Sequence, residues 1–287
     1  MSQPPEAAWV PSPAQRDRDA YRRRRSRRDA SVATLATVVL LGGLALVVVS
    51  SPGWPRVQST FFSGFHFAAS WRDVLSAFWV NVSMFLIAEP IILVLALLIA
   101  VVRGTRAPVL FPVRLLAVLF TDMLRGIPTI LLVLLLGFGM PALGLQGVPT
   151  SLYFWALTAL VLSYSAYVAE VLRAGIESIH PSQIASARTL GLSRTQTLRH
   201  VIVPQGVRRV IPPLLNDFVS LQKDTALVSV VAIFDAVYTA RDYGAYNFNY
   251  TPYVVAALLF IALTVPLARF TDWLSARARR REVAGSW

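Results

Sequence analysis

The sequence predicts an all-α integral membrane protein with six transmembrane helices and both termini on the cytoplasmic side. Three observations carry that prediction. The 287 residues are 55% hydrophobic and 15% charged, with a mean hydropathy of +0.58, too apolar for an ordinary soluble domain. Six apolar runs approach or exceed the length of about 20 helical residues that a hydrocarbon core requires, and none shows the ten-residue alternation of a membrane barrel. The arginines collect in alternate connectors between those runs.

Residues 1–30 read as an Arg-rich cytoplasmic tail. Its Pro- and Ala-rich start lacks periodicity up to Asp17, which predicts disorder. Arg16, Arg18, Arg22 to Arg25, Arg27 and Arg28 hold that tail inside and suit an anionic lipid surface better than nucleic acid. Residues 31–51 form the first span, with its apolar run at 32–50. At about 19 residues the run exceeds the 7–15 of a signal peptide, and Ser50-Ser-Pro-Gly-Trp54 is a poor cleavage site, so a retained anchor is predicted. Residues 52–73 read as an external loop.

The next runs are 74–102, 113–138, 152–174, 212–236 and 252–272. Arg103, Arg106 and Arg114 mark the second-to-third connector as cytoplasmic. Arg188, Arg194, Arg199, Arg208 and Arg209 do the same for the polar stretch after the fourth run, and Arg269, Arg277 and Arg279 to Arg281 for the basic tail 273–287. The opposite connectors hold only Arg56, Arg72 and Arg241. Trp71, Tyr153, Tyr250 and Tyr253 fit interfacial belts.

The polar stretch between the fourth and fifth runs has its own punctuation. Pro181 and Ser182 start a short helix with Ser182 as N-cap, and Gly191 ends it in the left-handed conformation. Ser193-Arg-Thr-Gln196 has the capping-box pattern of a second start, Leu198, Val201 and Ile202 form its apolar edge, and Pro204 stops it. On spacing alone this is either a plain helix-turn-helix connector or a docking surface.

The chemistry is defined partly by what is missing. There is no Cys, the His residues at 66, 180 and 200 are scattered, and neither a hydrolase signature nor a phosphate-cradling Gly-x-x-x-x-Gly-Lys is present, so the chain reads as neither an enzyme nor its own ATPase. The remaining clue is ionisable residues inside the runs, which cost several kcal/mol in hydrocarbon unless paired or facing water. They are Glu89, Asp122 with Arg125, Glu170 with Arg173, Asp217, and Lys223 with Asp224. Asp122/Arg125 and Glu170/Arg173 are spaced to meet on one helix face. Glu89 stands beside Pro90, which frees the carbonyl of residue 86, and reads either as a water-lined functional position or as a neutral, hydrogen-bonded glutamate.

Taken together, the polar stretch resembles the Glu-Ala-Ala loop of ABC-importer permeases, with Ala185-Ser186-Ala187, Gly191 and Val201-Ile-Val-Pro204 in its frame. Four further matches resemble the polar amino-acid subfamily: Asp122-Met-Leu-Arg-Gly-Ile-Pro128, Tyr167-Val-Ala-Glu-Val-Leu-Arg-Ala-Gly-Ile176, Pro212-Pro-Leu-Leu-Asn-Asp-Phe218 and Lys223-Asp-Thr-Ala-Leu-Val-Ser229. The resemblance spans about 74–272 and implies a five-helix permease core plus one extra N-terminal span.

It also implies partners: a second permease subunit, as homo- or heterodimer, an ABC ATPase carrying ATP and Mg, and an extracytoplasmic solute-binding protein that delivers an amino acid. No cofactor is expected on this chain and no nucleic acid beside it. The setting is a prokaryotic plasma membrane. The coupling loop, 180–205, would present Ile184, Ala185, Ser186, Ala187, Arg188, Gly191, Arg194 and Pro204 to the ATPase. Glu89, Asp122, Arg125, Lys223 and Asp224 would lie along the substrate pathway, with Arg125 or Lys223 facing a carboxylate and Glu89 an ammonium. Glu170, Arg173, Gly175, Asn216 and Asp217 are motif positions of a structural kind. The chain departs from the family at Ala185, where an acidic residue is usual, at Ser186, and at Leu215 in place of Gly. Altered partner specificity and a degenerate member of a heterodimer both follow from that departure. A permease for another small solute, such as an ectoine-like compound or an opine, and a membrane scaffold with a vestigial loop remain as rival readings.

Overall fold

The computed structural model describes residues 12–105 and 107–284. The tail before residue 12, Arg106, and the side chains of Arg23, Arg194 and Arg279 to Arg281 lie outside the described residues. Two compact units divide the chain, Met1–Ser59 and Thr60–Trp287.

The first unit is built on α1, Pro13–Val49. Ser12 starts it by accepting from the Gln15 amide at 3.3 Å, with Pro13 in the first turn, where its missing N–H costs nothing. Among the described residues the expected disordered tail is therefore helical from Pro13. No proline interrupts 14–49, and Ala, Gln and Arg are strong helix formers that carry the helix outward from its apolar half. Arg25 and Asp29 add an i, i+4 pair at 3.9 Å. The apolar half is exposed along its length. Ser51-Pro-Gly53 ends it, and α2, Trp54–Phe61, follows.

The second unit is built of helices, with no strand among its described residues. In place of most of the external loop expected over 52–73 stand α2 and the first turns of α3, Gly64–Gly104, which Ser63 caps. A short 3-10 turn, Pro108–Leu110, leads to α4, Phe111–Gly126, and α5, Thr129–Ala142. The run expected as one helix over 113–138 bends by 103° between them. Pro128 has no N–H to give and forces Ile127 into an extended conformation, φ −94° and ψ 126°, so the helix must stop there. Next come α6, Leu152–Glu177, α7, Pro181–Thr189, and α8, Arg194–Thr197, which passes through a π turn, Leu198–Ile202, into α9, Val203–Asp224.

The expected run 212–236 is not one helix. Its chain leaves α9 at Asp224, tightens into a 3-10 turn over Thr225–Val231, and breaks at Ala232, which is left-handed at φ 58°. Asp235 then caps α10, Ala236–Asn247, accepting from the Tyr238 amide at 2.8 Å. The last element, α11, runs Thr251–Ala284 and carries the expected basic tail as helix as far as Ala284. By length and composition four stretches can cross a membrane: Pro13–Val49, Trp54–Gly104, Leu152–Glu177 and Thr251–Arg277. The bent pair of α4 and α5 makes a fifth if it is one span.

Within the second unit α6 is central, packed against α3, α4, α5 and α9. Ala156, Ala159 and Ala169 on α6 are fully buried, and side chains this small let neighbouring backbones approach closely. Met84, Ile92, Leu160, Leu221 and Val228 fill the space around them. A second cluster joins α3, α10 and α11 through Val74, Phe78, Ala236, Ala240 and Val255.

Candidate functional site

The site begins with α7, a nine-residue helix that projects from the end of α6. Its start differs from the expectation by two residues. His180, not Ser182, is the N-cap, with its Nδ1 accepting from the Ser182 amide at 3.2 Å, because Pro181 takes the first helical position. Its end is as expected. Gly191 is left-handed at φ 81°, and the amides of Gly191 and Leu192 donate to the carbonyls of Arg188 and Ala187 at 2.9 and 3.1 Å. The capping box is also present, with the Gln196 amide donating to Ser193 Oγ at 3.3 Å and the Ser193 amide to Gln196 Oε1 at 2.8 Å.

This double capping fixes a short helix that would be marginal alone. It points Ala185, Ser186 and Arg188 outward, holds Ile184 half-buried, and buries Ala187 to 4% exposure. Leu190, 81% exposed, stands at the tip as an apolar knob. Arg194 carries a side chain outside the described residues. Pro204 does not stop the second helix. It lies in the first turn of α9, directly after the π turn, which the Val203 amide closes by donating to the Leu198 carbonyl.

Two contacts tie the base of α7 to α9. Gly175 on α6 and Gly206 on α9 let the helices touch, and Arg209 donates to the Ser178 carbonyl just past the end of α6. Gly175 is thus a packing position.

Inside the bundle the charges form groups that sequence spacing foresaw only in part. Glu170 is a hub. Its Oε2 accepts from Arg103 Nη1 at 2.9 Å and from Arg173 Nε at 3.1 Å, its Oε1 meets Arg173 Nη2 at 2.5 Å, and Arg125 Nη1 lies 3.8 Å from Oε2. Arg173 also bonds Glu177, and Arg103 also donates to Thr121 Oγ1 at 2.9 Å. The i, i+3 pair of Glu170 and Arg173 therefore forms. The pair of Asp122 and Arg125 does not form among the described residues: Asp122 is exposed, and Arg125 turns to Glu170.

Along α9, Asn216 is exposed and Asp217 half-buried, with its Oδ2 enclosed and without a hydrogen-bond partner among the described residues. Asp224 accepts from Tyr164 Oη at 2.8 Å, while its neighbour Lys223 is exposed and forms no ion pair with it among the described residues. Glu89 lines a cavity of about 360 Å³ together with Leu93, Ile211, Leu214, Phe218 and Thr271. Apart from Glu89 and Thr271 that cavity is apolar. Asp217 precedes Phe218, which lines the same cavity, so a motif position stands beside this region.

Sequence spacing missed several members. Arg103 reads as a topology charge, yet it sits in the last turn of α3 and pairs with Glu170. Asn81, buried in the apolar half of α3, donates from Nδ2 to Asp235 Oδ2 at 2.9 Å and accepts from the Ala236 amide at 3.2 Å. A lone amide in an apolar run is the signal that could have found it.

Comparison with known proteins agrees with this architecture. Residues 107–280, more than half of the chain, match the family described as binding-protein-dependent transport system inner membrane component. The probable glutamine ABC transporter permease protein GlnP of Bacillus subtilis (strain 168) is 33% identical over 220 residues, covering 74% of this chain and 95% of that protein. GlnM of the same organism, another probable glutamine permease protein, is 33% identical over 188 residues, covering 65% and 84%. The solved structure of an amino acid ABC transporter with histidines superposes with a TM-score of 0.68 at 26% identity, covering 75% of this chain and 98% of that one. The inward-facing MetNI methionine ABC transporter shares the fold, with a TM-score of 0.57 at 16% identity. Its matched residues, its relatives and its helical architecture make this chain a member of the binding-protein-dependent transport system inner membrane component family, the permeases of ABC transporters.

Proposed function

We propose that this chain is the permease subunit of an ABC importer that moves a polar amino acid across a prokaryotic plasma membrane. A second permease subunit completes the pathway, an extracytoplasmic solute-binding protein supplies the amino acid, and a separate ATPase holds the ATP and Mg. The chain itself binds no cofactor. Closure of the ATPase shifts the bundle between inward-open and outward-open states through α7.

The observation that supports this reading most is α7 itself: a short, exposed helix capped at both ends that follows the central helix α6 after three residues. The arginines of its loop put it on the cytoplasmic side, along with both termini. The chain then crosses six times, with α9 as the fifth crossing. At 22 residues α9 is about 33 Å long, enough to cross, and its carboxylates can face neighbouring helices and water instead of lipid. Ala185 leaves shape, Leu190, Arg188 and Arg194 to make the ATPase contact without the usual acidic residue. Glu89, with Asp122, Arg125, Lys223 and Asp224, lies along the pathway, and the cavity beside Glu89 supports its part in it.

Purification of the full chain from mild detergent, with the accompanying proteins identified, tests the reading. An ABC ATPase in the complex, and a binding protein whose melting temperature rises with a polar amino acid, are expected. A complex without any P-loop ATPase would overturn it.

A further inference from the structure

The chain turns by 103° between α4 and α5, and α6 holds both sides of the bend. Before the bend, Tyr167 Oη donates to the carbonyl of Arg125 at 3.2 Å, and Glu170 Oε2 lies 3.8 Å from Arg125 Nη1. After the bend, Thr129 Oγ1 and Ser163 Oγ share a hydrogen bond of 2.9 Å. Ser163, Tyr167 and Glu170 are spaced i, i+4, i+7 and so form one face of α6. That face continues to Glu177 through Arg173, one residue before Ser178, whose carbonyl is held by Arg209 at the root of α7.

Charge counting shows that the arrangement is not a simple neutral pair. Glu170 is bonded directly by Arg103 and Arg173, and Arg173 is shared with Glu177. Arg125 is held at longer range with its side chain 39% exposed, so its tie to α6 can be broken without leaving a buried charge stranded. The backbone contact from Tyr167 is of the same kind, a single neutral hydrogen bond at an exposed position. The hub is firm toward α3 and α6, and the contacts of Tyr167 and Arg125 carry it across to the bend, where removing the Tyr167 hydroxyl leaves every buried charge paired.

We propose that Tyr167 and Glu170 are positioning residues that make the α4–α5 bend follow α6, so that movement of α7 by the ATPase repositions the start of α5 and opens or closes the pathway. This inference rests on the importer reading above. Because α6 is one unbroken helix of 26 residues, displacement at its C-terminal end is carried rigidly to the face that grips the bend. With the grip removed, α7 and α6 still move while the bend lags behind.

The test uses the full complex in proteoliposomes, with ATP hydrolysis and amino-acid uptake measured on the same preparation. Tyr167→Phe removes one hydroxyl and keeps the ring, and Glu170→Gln removes the charge; Tyr167→Phe guards against loss of folding in the second. Both variants are expected to assemble with the ATPase, and Tyr167→Phe to retain ligand-stimulated hydrolysis. Uptake per ATP is expected to fall by about fivefold in Tyr167→Phe and about tenfold in the double variant, the range of a typical coupling between sites. A Thr129→Val variant, which removes the contact on the other side of the bend, should give the same signature. Unchanged uptake per ATP in Tyr167→Phe and Thr129→Val would overturn the inference while leaving the importer reading intact. Absence of ATP-driven uptake in the unmodified complex would instead remove the reading on which it rests.

Discussion

Gly175 on α6 faces Gly206 on α9 so closely that a methyl group at Gly206 would lie 3.7 Å from the Gly175 carbonyl oxygen, whereas one at Gly175 would overlap the Val210 side chain. The two glycines look equivalent in sequence and are not. The tight side of the contact is Gly175, because Val210 is itself buried and has nowhere to move.

Gly175→Ala is therefore expected to destabilise the protein by about 1–3 kcal/mol through overpacking, and Gly206→Ala to be neutral or mildly stabilising by up to about 1 kcal/mol from helix propensity. Thermal unfolding of the detergent-solubilised complex distinguishes them. Val210→Ala combined with Gly175→Ala should recover most of the loss, and the absence of recovery would show that the clash is not with Val210.

Asn81→Leu should cost about 3 kcal/mol. It leaves Asp235 Oδ2 without its donor, although Oδ1 keeps the Tyr238 amide, and it strands the buried Ala236 amide, so two hydrogen bonds are lost at one enclosed place. Asp235→Asn keeps an acceptor for the α10 cap and should cost only about 1 kcal/mol. Equal melting temperatures for the two variants would contradict the pairing.

At α7 the expected effects separate shape from charge. Gly191→Ala places a Cβ in a left-handed residue at a cost of about 1 kcal/mol, so the ATPase captured at limiting concentration should fall about fivefold. Ala185→Glu changes an exposed position and should move the melting temperature by no more than about 0.5 kcal/mol of stability allows. A large loss of stability in Ala185→Glu would mean that the residue is packed rather than presented.

Glu89→Gln tests the cavity directly. It keeps the volume and removes the charge, so assembly is expected to persist while uptake falls about tenfold through a raised KM. Uptake with the same rate and substrate preference would take Glu89 out of the pathway.

Local signals in the chain were read well where one residue type has one physical consequence. Gly191 had to be left-handed, and Ser193 with Gln196 had to form reciprocal bonds, because few other arrangements satisfy those atoms. Glu170 with Arg173 followed from helical spacing in the same way. Hydropathy alone was less informative where apolar runs hide direction. It joined α4 to α5 across Pro128, and ran α9 on through the 3-10 turn and past Ala232, since window averages pass over a break of a few residues.

The partner of a charge was the least legible property. Arg125 is as close in sequence to Asp122 as Arg173 is to Glu170, yet only tertiary packing brings Arg103 and Arg125 to the same carboxylate. The same holds for Asn81 and Asp235, separated by 154 positions. Proline gave a mixed result: Pro128 ends a helix, whereas Pro204 sits in the first turn of one, because a first-turn position needs no amide donor.

The π turn at Leu198–Ile202 has a consequence for how α9 is aimed. A turn closed by i→i+5 bonds contains one residue more than an α-helical turn, so everything after it is rotated by about 100° relative to a regular helix. Gly206 meets α6, and Asp224 reaches Tyr164, only in that rotated setting. Deleting one residue from 198–202 would leave both helices intact and turn the whole of α9 to present the wrong side, so the length of this one turn sets the azimuth of every carboxylate beyond it.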